Sequence, residues 1–143
     1  MTIVQGQTTQ FKINVLSGLE NFAVGTPYTY KIALYTAAAS LDNTTTTYTS
    51  SNEVTGTGYT AGGQVLTISN TPTGDNSTNT AYISFNNVTW NPASFTCRGA
   101  LIYNSTTNAA VAVLDFGSDK TASSNFTVTF PTATSTTAII RYS

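Results

Sequence analysis

Apolar positions along this chain follow two spacings in turn, first helical and then a long stretch of period two. Phe11, Val15, Leu16, Leu19 and Phe22 recur at helical spacing while Lys12 and Glu20 lie off the stripe, which predicts one short amphipathic helix. Gly18 weakens that segment by about 1 kcal/mol relative to Ala, and Pro27 closes it. Residues 1–10 carry no periodicity and read as an N-terminal arm. From position 28 the pattern changes: Tyr28, Tyr30, Ile32 and Leu34 alternate with Thr29, Lys31, Ala33 and Tyr35, as in a half-buried strand. Further strands are predicted over 53–56, 65–69, 81–85, 95–103, 110–116, 126–130 and 138–142.

Turn signals separate these runs at 61–63, 72–79, 91–92 and 131–137, and the NSTTN stretch at 104–108 suits a hairpin loop. Two polar stretches, 42–51 and 71–80, read as solvated loops. Seven or eight short strands with no helix between them indicate an all-β, antiparallel β-sandwich rather than alternating strands and helices. An immunoglobulin-like arrangement and a jelly roll are both compatible with the spacing. The expected organisation is an arm over 1–10 followed by one domain over 11–143 that includes the short helix. A chain of 143 residues can bury roughly two-thirds of its unfolded surface, enough for one core.

Composition narrows the chemistry. There is no histidine, and the six carboxylates and five cations are scattered for a net charge of −1. General acid–base catalysis usually draws on His or a perturbed carboxylate. Lys12, Lys31, Arg98, Lys120 and Arg141 are too dispersed for the basic stripe that duplex binding requires, so no nucleic-acid partner is expected. No apolar run approaches the roughly 20 residues of a membrane span, and no secretory signal pattern opens the chain. With a single cysteine, an internal disulfide is ruled out, and a soluble protein made in a reducing cytoplasm is expected. So few charges also mean weak self-repulsion, which tolerates dense assembly.

Individual candidates for chemistry are few. Cys97 alternates with Arg98, so their side chains leave opposite strand faces, and without histidine no Cys–His pair can form. A small core residue is the expectation. Asp115 and Asp119, four apart in LDFGSDKT, suggest either a calcium site or simple turn capping and ion pairing; no metal is expected. Gly56, Gly58, Gly62 and Gly63 lack the Lys-Ser/Thr and helix of a phosphate-binding loop. Asn-X-Ser/Thr acceptors at Asn43, Asn76, Asn87, Asn104 and Asn125 are as frequent as composition alone gives. Sixteen aromatics include surface-binding candidates: Trp90 as a sugar platform or a core plug, and Tyr35, Tyr48, Tyr59 and Tyr142 undecided.

Eight blocks in order carry a resemblance: FKINVLSGLENF (11–22), YKIALYT (30–36), NEVTGTGYTAGG (52–63), YISFNNVTW (82–90), FTCRGALIYN (95–104), AVAVLDFGSDKT (110–121), NFTVTFPT (125–132) and AIIRY (138–142). Together they resemble a family of small virion structural proteins of tailed bacteriophages, common in phages of marine and cyanobacterial hosts. The resemblance implies a non-enzymatic particle component without catalytic residues or cofactors. The favoured role is a capsid decoration, or cement, protein on the outer head of the virion. Its partners would be the major capsid protein and copies of itself, a trimer by symmetry. Ile3, Val4, Phe11 and Leu16 are the residues expected to touch the partner, with Phe11 and Leu16 alternatively capping their own sandwich. The competing function is a carbohydrate- or receptor-binding module of the tail, collar or head fibre, with Trp90 as its platform.

Overall fold

A computed structural model describes residues 2–143. Those residues form, in chain order, β1 (Gly6–Gln7), α1 (Thr9–Leu16), β2 (Tyr30–Tyr35), β3 (Gln64–Val65), β4 (Thr73–Asp75), β5 (Thr80–Ile83), β6 (Val88–Trp90), β7 (Phe95–Asn104), β8 (Ala109–Ala122), β9 (Phe126–Val128) and β10 (Ile140–Tyr142). The fold is all-β with one short helix, and every strand pairing is antiparallel. A five-stranded sheet has the order β1-β8-β7-β2-β3; β10-β5-β4 and β6-β9 make two smaller sheets.

One core joins all three sheets. Tyr30, Ile32, Leu34, Ala100 and Ile102 on one face of the large sheet pack against Ile83, Phe85, Trp90, Val128 and Ile140 of the smaller ones, with Phe11 of α1 beside them. The β7–β8 hairpin supplies the longest pairing, and its loop falls where NSTTN predicts, with the Asn104 carboxamide oxygen accepting from the Thr106 and Thr107 amides.

β2 is buried on both faces rather than one. Its second face, with Ala33 and Tyr35, joins Leu101, Tyr103, Ala110 and Val113 under a cover of Ile3, Ala39 and Leu41. The stretch 42–51 belongs to that cover and is not a free loop. Tyr48 stacks on Tyr103 with centroids 4.8 Å apart, and the Ala110 amide donates to the Thr46 carbonyl at 2.9 Å. The second polar stretch, 71–80, also folds. It forms most of the β4–β5 hairpin, in which Asp75 accepts from the Ser77 amide and hydroxyl at 2.9 and 2.6 Å.

The expected arm is woven into the domain. Ile3 bridges Leu41, β1 pairs with β8, and the Thr8 amide donates to the Val111 carbonyl at 2.9 Å. Thr8 then caps α1, its hydroxyl accepting from the Phe11 amide at 3.1 Å. The helix ends two turns before the apolar stripe does. Gly18 takes φ +72° and lets the Gly18 and Leu19 amides reach back to the Val15 and Asn14 carbonyls, a Schellman closure that glycine makes inexpensive. Leu19 and Phe22 therefore lie beyond the helix; Phe22 folds back to stack on Tyr30 at 4.4 Å.

Candidate interaction surface

Burial sorts the residues expected to touch a partner. Ile3 and Phe11 are core residues at 7 % and 2 % exposure, and Trp90 at 2 % is a core plug. None of the three can meet a partner or a sugar, because their apolar surface is already spent inside the domain. Val4 and Leu16 are exposed, Leu16 at 79 %. The two helix residues separate because five positions turn the helix by roughly 140°, so Phe11 and Leu16 face different ways.

α1 shows an inverted pattern. It buries Asn14 along with Phe11 and exposes Ile13 and Leu16. Asn14 is tolerated inside because Gln10 donates to its carboxamide oxygen at 2.9 Å. Beside Leu16 lies Tyr142, half exposed at the end of β10. Phe11, Val15, Phe22, Ile83, Ile140 and Tyr142 line an adjoining groove of about 280 Å³. Ile13, three positions before Leu16 on the same helix, continues the exposed apolar surface that Leu16 shares with Tyr142, and the sequence signal for Ile13 was its position out of phase with the stripe that buries Phe11.

The polar centres are structural. Glu53 is buried, and its carboxylate accepts from Tyr48 Oη at 2.6 Å, Tyr59 Oη at 2.5 Å and the Gly62 amide at 2.8 Å. Burial, then the Glu53 hydrogen bonds, push the Tyr48 and Tyr59 phenols well above their ordinary range, and burial raises Tyr103 to about 12. Tyr35 is buried and donates to the Thr49 carbonyl at 2.6 Å. Cys97 is fully enclosed and its thiol is pushed up to about 12 by burial, the reverse of nucleophile activation. Asp115 accepts from the Gly117 amide at 2.8 Å and pairs with Arg98 at 3.2 Å, so it caps its turn and holds a cation. Among the described residues no group of three or more Asp, Glu, Cys or His converges. No helix there is long and apolar enough to cross a membrane.

Glu20 accepts from Tyr30 Oη at 2.7 Å and from the Asn104 carboxamide at 3.3 Å. Burial nevertheless raises its pKa, outweighing those hydrogen bonds. A carboxyl with a raised folded pKa binds more protons in the folded state, so its contribution to stability grows as pH falls. Asp75 has the opposite sign: hydrogen bonds from Ser77 and Ser135 hold it down at about 2, so its contribution is lost as pH falls from about 4 through that value. The thermal midpoint should rise from pH 7 toward pH 4.5 and fall again toward pH 2. In Glu20→Gln the upper limb should flatten, and an unchanged slope would remove Glu20 as its source.

Family models, curated proteins and solved structures give no match to this chain.

Proposed function

We propose that this protein is a structural component of a tailed-phage particle, acting as a decoration protein that braces the outer head shell through its major capsid protein. The observation that carries the reading is the Ile13–Leu16–Tyr142 patch, large side chains half or more exposed on a domain with only eleven charged residues. Such patches mark association surfaces. The eight-block resemblance supplies the kind of assembly. A domain that binds only the assembled lattice stabilises it by RT ln(1 + [L]/Kd) per site, repeated over many copies. The receptor-binding alternative loses its platform with Trp90 in the core, and no other observation favours it.

The test is cosedimentation with mature phage heads stripped of accessory proteins, with isolated tails as control. Saturable binding to heads at fixed stoichiometry is expected. Because residues 3–8 are part of the fold, deleting the arm would damage the domain, and a point change is the sharper probe. Leu16→Asp should lower head affinity by about 10- to 100-fold, the value of one buried leucine, with an unchanged melting curve. Binding to tails alone, or undiminished binding by the variant, would overturn the reading.

A further inference from the structure

Two sheet edges face each other in this fold. β1 ends one side of the large sheet and β10 ends one side of the three-stranded sheet. Between them runs a groove of about 510 Å³ whose lining includes Gln5, Gly6, Gln7, Lys12, Arg141 and Ser143, a volume within the range of ligand-holding clefts.

The register shows which backbone groups point into it. The Thr8 amide donates to the Val111 carbonyl, two residues along from the Gly6–Val113 pair. Antiparallel pairs alternate between bonded and non-bonded, so Gln7, opposite Ala112, turns its own N–H and C=O away from β8. On β10 the Arg141 carbonyl accepts from the Gln7 side chain at 3.1 Å, which places Arg141 as the outward residue of that strand. The two edges are thus joined across the groove by one half-buried glutamine side chain.

Charge supplies the second observation. Lys12 and Arg141 are two of five cations in the chain, and no Asp or Glu side chain lines the groove with them. Among the described residues neither takes part in an ion pair; the single salt bridge is Arg98–Asp115. Arg141 Nη1 donates to the Thr136 carbonyl at 2.7 Å, which steadies the guanidinium while leaving donors to spare.

We propose that this groove binds an extended, carboxylate-bearing segment of a partner protein by strand addition. The segment displaces the Gln7 side chain from the Arg141 carbonyl, pairs with the exposed backbone of Gln7 and Arg141, and sets an acidic side chain between Lys12 and Arg141. A nucleic-acid backbone would satisfy the cations but has no N–H to offer the Gln7 and Arg141 carbonyls, whereas a polypeptide satisfies both. The inference does not rest on the particle reading, since it specifies the docking segment and not the assembly that supplies it.

The probe is a fluorescein-labelled heptapeptide, Thr-Val-Asp-Val-Asp-Val-Thr, followed by anisotropy on the full chain at low and high salt. Saturable binding is expected, at least tenfold weaker when Lys replaces Asp, and lost when the valines are N-methylated so that backbone donors disappear. Lys12→Glu and Arg141→Glu should each weaken it fivefold or more, and Lys120→Glu, whose ammonium bonds only Ser118, should not. Amide exchange at Gln7 and Arg141 should slow on saturation. Failure of the acidic peptide to bind, equal binding of the basic one, survival of binding on N-methylation, or indifference to both groove variants would each overturn the proposal.

Discussion

Gly63→Ala is expected to leave little folded protein. Gly63 adopts φ +75°, and a methyl group there would overlap the Ile32 carbonyl oxygen, with the Ile32 carbonyl carbon at 2.6 Å and Ala33 Cα at 2.8 Å. Those atoms are backbone of β2, which is fixed on its other side by six residue pairs with β7. No side chain can swing away to make room. Relief would require β3 to leave β2, taking with it the bond from Tyr103 Oη to the Gly62 carbonyl at 2.7 Å. The left-handed conformation alone costs a side chain about 1–2 kcal/mol, and the overlap should bring the total to about 4–5 kcal/mol or more, a large part of a typical domain's 5–15 kcal/mol. Gly25→Ala separates the two effects. It has φ +84° with nothing within 4 Å of the added carbon, so it should lose only about 1–2 kcal/mol. Urea midpoints for the pair check this, and equal losses would show that the overlap is relieved.

That corner of the fold shows what the sequence made legible. Glycines at 62–63 marked a turn beside a strand, but the closeness of Gly63 to β2 depends on which strands become neighbours. β7 and β8 were readable because long apolar runs flank a polar hairpin loop. The double burial of β2 was hidden because its cover is assembled from segments that carry no strand or helix period: Ile3, Ala39 and Leu41, with one ring from the threonine-rich stretch, Tyr48 on Tyr103. The helix was read too long because Leu19 and Phe22 continue its spacing, and only the left-handed turn at Gly18 breaks it. The partner surface was half legible for the same reason. Periodicity puts Phe11 and Leu16 on a helix, but which of them faces the core is decided by sheets formed much later in the chain.

Glu53→Ala is the second large loss expected, and it tests whether the buried polar centre organises the second face of the sheet. Truncation would strand three donors that now converge on one carboxylate: the Tyr48 and Tyr59 hydroxyls and the Gly62 amide. Each buried donor without a partner costs about 1–3 kcal/mol; because Tyr48 and Tyr59 are half-buried and recover part of that from water, the loss should fall in the lower part of the summed range, about 3–6 kcal/mol. Tyr59 transmits the effect, since its oxygen also accepts from the Leu34 amide of β2 at 2.8 Å. Glu53→Gln keeps one acceptor oxygen and lets a tyrosine hydroxyl rotate to accept from the new amide, so its loss should be nearer 1–2 kcal/mol. A cycle of Glu53→Ala with Tyr59→Phe reads the connection directly. Once the Tyr59 hydroxyl is gone, deleting Glu53 leaves one fewer stranded donor, so the double variant should be more stable than the summed losses by about 1 kcal/mol or more. Additive losses would mean that the carboxylate and Tyr59 act separately, and that the cover over β2 is held by its apolar packing and backbone bonds rather than by this polar centre.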